Sequence, residues 1–124
     1  MQTFNAQIIE LEPGRCVIEA RYAHGLGQQN GFFHAGVVSG VGDSACGYAA
    51  YSLFAEATDV LTAEFKINLV APARGVRLIA SGEVVRKGRR LTTCLSRIEV
   101  EDAAGARTLC AIMLATVAQV KDRS

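Results

Sequence analysis

The pattern of apolar and polar positions predicts a chain built mostly of β-strands. Two early stretches alternate between apolar and polar residues, and four later stretches are rich in Val, Ile, Leu and Thr. Turn-forming residues such as Pro13, Gly75, Gly88 and Gly105 separate the members of each group. The predicted strands are residues 3–11, 16–22, 60–70, 76–85, 91–100 and 108–120. Since the last four follow one another through short connections, we expect them to form an antiparallel meander.

One long apolar stretch, residues 34–54, interrupts the strand pattern and predicts a helix. At 100° per residue this helix has a bulky side, which we expect to pack on the sheet, and a bare side that carries Asp43. The bulky side consists of Val38, Val41, Ala45, Tyr48, Ala49 and Ser52, and the bare side of Gly36, Gly40, Asp43, Gly47 and Ala50. One helix across an antiparallel sheet is an α+β fold, and the length suits a single domain over residues 1–124.

The strands carry more apolar residues than one helix can cover. Residues 108–120 are apolar on both faces of the predicted strand, and hydrophobic residues make up 50% of the chain against 20% charged residues. A sheet that is apolar on both faces needs a second covering surface, most simply another subunit. The sequence therefore predicts an oligomer.

Charge and cysteine content exclude several classes of function. Thirteen basic and twelve acidic residues leave a net charge of +1, so no overall field would attract nucleic acid or an anionic membrane. The four cysteines are far apart and only two histidines accompany them, so we predict no metal site and reduced, buried thiols, which fits the cytoplasm. We see no pattern of a secretory signal at the start, and the apolar stretch is too interrupted to span a membrane.

Asp43 is the residue of this pattern that most needs an explanation. Burying a carboxylate without partners is unfavourable by several kcal/mol, and a glycine inside a helix costs about 1 kcal/mol against alanine. An exposed helix face would usually carry more than one polar side chain, which argues against a simple solvated acid. The combination of an acid and glycines on one helix face indicates a functional site.

The predicted start of the helix offers a second chemical group. The N–H groups of Ala35 and Gly36 are free at a helix N-terminus, where the positive end of the helix dipole favours an anion or an oxyanion. Gln28, Asn30 and His34 lie in the preceding loop and can supply amide or imidazole hydrogen bonds.

These residues and their order resemble the PaaI-like group of hotdog-fold acyl-CoA thioesterases. The resemblance runs from about residue 25 to residue 117. It rests on Gln28, Gly31, His34-Ala35-Gly36, Asp43, Thr62, Pro72-Ala73, Gly75 and Gly88-Arg89-Arg90. It implies a hotdog fold, in which one long central helix is wrapped by an antiparallel sheet of five to six strands. Ala35 stands where relatives commonly have glycine, but the role of that position is a backbone N–H, which alanine also supplies.

The resemblance implies an active site at the interface of a homodimer, and association of dimers into a tetramer. Asp43 of one subunit would face Gln28, His34 and Ala35 of its partner. The Ala35 N–H, with Gly36 as a weaker candidate, would stabilise the oxyanion, and Asp43 would activate water or attack the thioester directly. Thr62 would offer a hydroxyl near that site. No cofactor is implied, because coenzyme A is part of the substrate.

The basic turn at residues 86–90 is a candidate contact for coenzyme A. Lys87, Arg89 and Arg90 could bind its phosphates, since guanidinium groups match phosphate oxygens, although a solvated hairpin tip explains such a turn equally well. Two other functions stay open: a hotdog hydratase or dehydratase acting on acyl thioesters, and a non-catalytic acyl-thioester binding protein. The acyl group itself is not predicted by the sequence.

Overall fold

A six-stranded antiparallel sheet with one helix on its inner face forms the described part of the chain. The computed structural model describes residues 6–21, 27–28, 32–54 and 59–120. The elements are β1 (Ala6–Glu12), β2 (Arg15–Arg21), β3 (Gly27–Gln28), β4 (Phe32–Phe33), α1 (Ala35–Tyr51), β5 (Asp59–Leu69), β6 (Arg77–Lys87), β7 (Leu91–Glu101) and β8 (Arg107–Val120). This architecture confirms the α+β prediction and the hotdog arrangement. Within the part that the structure describes, no helix is long and apolar enough to cross a membrane.

The order of strands in the sheet differs from the predicted meander. The order is β1-β2-β6-β7-β8-β5, so only β6, β7 and β8 form a meander, and β5 pairs with β8 at the sheet edge. The prediction of a four-strand meander was wrong because residues 70–76 cross to β6, three strands away from β5. That crossing spans about 14 Å between strand axes, well within the reach of seven residues. A short connection therefore does not force neighbouring strands to pair.

The loop before α1 contains two short strands that the sequence did not predict. The sequence predicts only a loop before the helix, but β3 and β4 within it pair with each other, Gln28 opposite Phe32. The backbone N–H of Phe33 also donates to the carbonyl of Ala73 at 2.8 Å. These bonds attach the start of α1 to the segment that follows β5.

A glycine in β6 fixes the position of α1 on the sheet. A Cβ atom at Gly82 would lie 2.5 Å from the carbonyl carbon of Ala45, so only glycine allows the helix backbone to approach this closely. Around this contact Ile18, Leu78, Ile98 and Met113 are fully buried. This contact at Ala45 lies about half a helical turn from Asp43. The face of α1 that carries Asp43 therefore turns toward the edge strand β5.

The predicted assignment of residues to the two faces of α1 was wrong for three residues. Val38, Val41, Ala45 and Ala49 are buried as expected, but Tyr48 is 41% exposed and Ser52 is also exposed. Ala50, which was assigned to the bare side, is fully buried. The small side chains of α1 lie closest to the sheet, because a tyrosine at the same place would hold the helix away from it.

Large apolar side chains remain exposed in this chain by itself. Some lie on the edge strand β5 and some on the sheet face opposite α1. They include Leu61, Phe65 and Leu69 at the edge, and Val85, Leu91 and Leu114 elsewhere on the sheet. The predicted excess of apolar surface is therefore present on the folded chain, where it forms patches that a monomer rarely leaves uncovered.

Candidate active site

Asp43 and Thr62 form a hydrogen-bonded pair between the helix and the edge strand. Asp43 lies in the third turn of α1 and is half-buried, so it is less enclosed than the sequence suggested. The Thr62 hydroxyl donates to Oδ1 of Asp43 at 2.5 Å. A hydrogen bond to a charged acceptor is short and directional, so it fixes one carboxylate oxygen and leaves the other for a substrate or a water.

A β-bulge in β5 turns Thr62 toward the helix. Thr62 pairs with the buried Val117, and Phe65 pairs with the buried Ala115, so both face α1 although three positions separate them. Strict alternation would place positions of the same parity on one face, but the register shifts between Thr62 and Glu64. The bulge therefore creates the Asp43–Thr62 pair, and the predicted placement of Thr62 near Asp43 is what the structure shows.

A cavity of about 460 Å³ opens beside this pair. Its walls come from the C-terminal half of α1 and the start of β5. The lining residues are Asp43, Ser44, Gly47, Tyr48, Tyr51, Asp59, Val60 and Thr62. It combines two carboxylates and several hydroxyl groups with aromatic and aliphatic surface, which suits a ligand with a polar reacting group and an apolar substituent.

The start of α1 exposes two backbone N–H groups. His34 is the N-cap with φ −66° and ψ 147°, and its carbonyl accepts from the N–H groups of Val37 and Val38. Within the described part of the chain, the N–H groups of Ala35 and Gly36 have no acceptor, and both residues are exposed. The His34 side chain is exposed and makes no capping bond. The predicted donors are thus present and accessible at a helix N-terminus.

A second cavity of about 460 Å³ lies beside this helix start. Its lining includes Phe32, Phe33, Ala35, Leu69 and Cys110. Ala35 and Asp43 are eight residues apart on one helix, a separation of about 12 Å. A single chain therefore does not bring the carboxylate and the N–H donors together.

Two predicted site residues fall partly or wholly outside the described residues. The backbone of Gln28 pairs with Phe32 in the small β3–β4 ladder, and its side chain is outside the described part. Asn30 lies wholly outside it. Their roles remain predictions.

The basic turn between β6 and β7 lies at the same end of the sheet as the Asp43 cavity. The Arg90 carbonyl accepts from the Gln119 N–H at 2.9 Å, and the end of β8 pairs with Asp59, which lines that cavity. Lys87 places its ammonium 5.6 Å from the centre of the Phe54 ring. Arg89 and Arg90 are exposed and, among the described residues, have no carboxylate partner. Arg86 and Arg97 on the sheet also lack one there, whereas Arg15, Arg21, Arg77 and Arg107 pair with glutamates.

The cysteines are free and buried, as predicted. Burial raises the pKa of the Cys16 thiol and of the Cys110 thiol to about 11. A hydrogen bond with Cys94, together with burial, raises the pKa of Cys46, which lies one helical turn from Asp43. These thiols stay protonated at neutral pH and are poor nucleophiles. In the part of the chain that the structure describes, no three His, Cys, Asp or Glu residues are grouped to hold a metal ion.

Four aromatic residues near the helix line the two cavities, two in each. Tyr48 and Tyr51 line the Asp43 cavity, and Phe32 and Phe33 line the cavity at the helix start. Sequence reasoning missed Ser44, Asp59 and Val60 as lining residues. The only signal for Asp59 and Val60 was their place at the start of β5, beside the helix.

Comparison with known proteins gives four similarities, three of which extend to the sequence. Residues 30–107 match the sequence profile of the thioesterase superfamily. A Saccharolobus solfataricus protein that carries the name of an esterase is 34% identical over 101 residues, which covers 82% of this chain and 70% of that protein. The crystal structure of a thioesterase family protein from Silicibacter pomeroyi has a TM-score of 0.93 and 44% identity, covering 98% of this chain and 89% of that one.

A fourth similarity concerns the fold alone. A mutant structure of the phenylacetic acid degradation protein PaaI from Thermus thermophilus superposes with a TM-score of 0.80 at 20% identity. It covers 97% of both chains. The shared fold includes both α1 and the sheet.

Proposed function

Since this chain belongs to the thioesterase superfamily, we propose that it hydrolyses acyl-CoA thioesters to a carboxylic acid and coenzyme A. The observation that carries the proposal is the Asp43 carboxylate, held by the Thr62 hydroxyl at 2.5 Å in a cavity of mixed polarity. Hydrolysis of a thioester needs a base or nucleophile on one side of the carbonyl and a donor for the developing oxyanion on the other. Asp43 fits the first requirement, and the free N–H groups of Ala35 and Gly36 fit the second.

The proposed site needs two subunits. Donors of an oxyanion hole lie about 3 Å from the oxygen, but Asp43 and Ala35 of one chain are about 12 Å apart. A homodimer that places Asp43 of one chain opposite Ala35 and His34 of its partner would meet both requirements. The exposed apolar residues Leu61 and Phe65 on the edge strand suit an edge that pairs with a second copy. The further apolar surface on the outer sheet face suits association of dimers into a tetramer.

Two chemical routes are compatible with this arrangement. In the first, Asp43 accepts a proton from water as the water attacks the carbonyl carbon, and the C–S bond then breaks to release the thiol. In the second, the carboxylate itself attacks and displaces the thiolate, and water hydrolyses the resulting mixed anhydride. In both routes the carbonyl oxygen gains negative charge, which the Ala35 N–H would stabilise, and the other product is a carboxylic acid. Gln28 would orient the water or the thioester, and His34 would help to hold its loop and the thioester.

The basic turn is our candidate for the phosphate groups of coenzyme A. Arg89 and Arg90 are exposed and unpaired among the described residues, and they lie at the end of the sheet where the cavity opens. Planar guanidinium groups bind phosphate oxygens in pairs. Lys87, whose ammonium lies over Phe54, would contribute mainly its charge.

We place this activity in the cytoplasm as part of the same proposal. All four cysteines are free and buried, and free thiols suit a reducing compartment. The reaction uses water as the second substrate, so the proposal invokes no cofactor beyond the coenzyme A of the thioester.

Replacing the proposed catalytic acid gives the direct test. Asp43→Asn and Asp43→Ala are expected to lower kcat for release of coenzyme A by about 100-fold or more, with the fold retained by circular dichroism. A matched control is Glu64→Gln, because Glu64 accepts from Thr116 on the outer face of the sheet. This control should hydrolyse thioesters at the parent rate. Full turnover by both Asp43 variants would refute the assignment, and conversion of an enoyl thioester to a hydroxyacyl thioester without thiol release would indicate a hydratase instead.

A further inference from the structure

Gly47 is a helical glycine that the packing of this chain does not require. It lies in the interior of α1, where glycine is unfavourable relative to alanine. Among the described residues, a Cβ atom added there would meet only Cγ2 of Val60, at 3.9 Å, an ordinary van der Waals contact. Neither a steric clash with the described part of the chain nor a left-handed backbone conformation explains the glycine.

Gly42 on the same helix shows what a required glycine is like. A Cβ atom at Gly42 would lie 2.9 Å from Cδ1 of Ile98 and 3.4 Å from Cε of Met113, because this side of the helix faces the sheet. Gly42 is buried and is explained by close packing. Gly47 lies on the other side of α1, so its explanation must lie in what enters the space beside it.

That space is the Asp43 cavity. Gly47 is four residues after Asp43, about 6 Å along the helix and on the same face. The partly exposed rings of Tyr48 and Tyr51 stand beside it, and Val60 faces it from β5. At Gly47, one helical turn from the carboxylate, the cavity wall has no side chain, whereas the side chains beside Gly47 project into the cavity.

We propose that Gly47 is a specificity-determining residue that leaves room for the acyl group of the substrate. This inference rests on the proposed function. The coenzyme A arm of a thioester must leave the cavity through its open mouth, whereas the acyl arm stays against the helix. An acetyl group ends near Asp43, but a medium-chain or aromatic acyl group extends past Gly47 between Tyr48 and Val60. The substrate class is thus acyl-CoA with a medium-chain or aromatic acyl group.

The substitution Gly47→Ala adds one methyl group to this wall. We expect kcat/KM for hexanoyl-CoA and benzoyl-CoA to fall by about tenfold or more, because one methyl group in a close-fitting apolar pocket discriminates to this extent. The value for acetyl-CoA should change by less than about twofold, since the same discrimination requires contact with the added methyl group. The Tm should rise by a few degrees, because alanine favours the helix. Gly42→Ala is the matched control: its Tm should fall, and its preference among the three substrates should equal that of the parent.

A second measurement separates this inference from the proposed hydrolysis. The thioethers S-ethyl-CoA and S-hexyl-CoA cannot be hydrolysed, and calorimetric titration gives their affinities for the parent protein and for Gly47→Ala. If the parent hydrolyses no acyl-CoA, the proposed function fails, but a selective loss of S-hexyl-CoA binding still supports the role of Gly47. An equal effect on the short and long ligands overturns the inference. Dissociation of the Gly47→Ala oligomer, measured by light scattering, would also overturn the inference, because the glycine would then be needed for contact with a partner subunit.

Discussion

Replacing Thr62 by valine removes the hydroxyl that holds the Asp43 carboxylate and keeps the shape of the side chain. The bond is 2.5 Å long and its acceptor is the charged Oδ1. A hydrogen bond to a charged group contributes about 1.5–3 kcal/mol when it is shielded from water. Thr62 is exposed, so water can replace part of the bond in the variant, and we take about 1 kcal/mol as the net effect on the transition state. That corresponds to a decrease of about fivefold in kcat.

The assay is release of coenzyme A from hexanoyl-CoA, followed with a thiol reagent at several substrate concentrations. We expect the loss in kcat, with KM changed little, because the bond orients the carboxylate and does not contact the acyl group. Thr62→Ser retains the hydroxyl and should keep most of the parent kcat, so this variant separates loss of the bond from disturbance of the strand. The Tm of Thr62→Val should equal that of the parent, since valine favours an exposed strand position. An unchanged kcat in Thr62→Val, or an equal loss in Thr62→Ser, would refute the reasoning.

Three further predictions concern the packing of α1 on Gly82, the thiols and the basic turn. Gly82→Ala should destabilise the fold by about 2 kcal/mol or more in urea unfolding, because its Cβ would overlap the helix backbone. The raised pKa values of Cys16 and Cys110 leave their thiols protonated in the folded state while the unfolded chain ionises near pH 9, so the free energy of unfolding should fall by a few kcal/mol as pH rises from 9 to 11. Replacing both by Ala should make that decrease smaller, and the remainder is expected from Cys46, whose pKa is also raised. Arg89→Gln with Arg90→Gln should raise KM for hexanoyl-CoA by about fivefold at low salt, with no change for the pantetheine thioester, which has none of the phosphates of coenzyme A.

The sequence predicted strands and the helix well because their determinants are local. The bounds of β6, β7 and β8 differ from the predicted ranges by no more than two residues, since Val, Ile and Thr clusters between glycine turns mark a strand without reference to its neighbours. The start of α1 at Ala35 was also predictable, because the composition changes sharply there. The position of β5 was not, because it depends on pairing with β8 across the whole sheet.

The candidate site divides in the same way. Asp43 was identifiable from an acid on a glycine-rich helix face, and the helix start supplied the N–H donors. The pairing of Thr62 with Asp43 was accessible only through the family resemblance, because the bulge between Thr62 and Glu64 reverses the face that strict alternation predicts. The close approach of the helix backbone to Gly82 depends on how α1 packs on the sheet, which no pattern along the chain reports.

The central claim is that Asp43 of one subunit and the Ala35 N–H of its partner act on the same thioester. Ala35→Pro removes that N–H with little other change. Ala35 is the first residue of α1, where proline is tolerated, and the φ and ψ of His34, −66° and 147°, are those that a residue before proline adopts. We expect the Asp43→Asn dimer and the Ala35→Pro dimer each to be nearly inactive.

The decisive measurement is the activity of a mixed dimer, purified through two different affinity tags, with Asp43→Asn in one subunit and Ala35→Pro in the other. If the site is shared, one of its two sites combines both defects and the other contains the unaltered Asp43 and Ala35. The mixed dimer should then show about half of the parent activity per dimer, by the twofold symmetry of the assembly. A mixed dimer as inactive as the Asp43→Asn homodimer and the Ala35→Pro homodimer would contradict the account, because Asp43 and Ala35 would then have to act from the same chain.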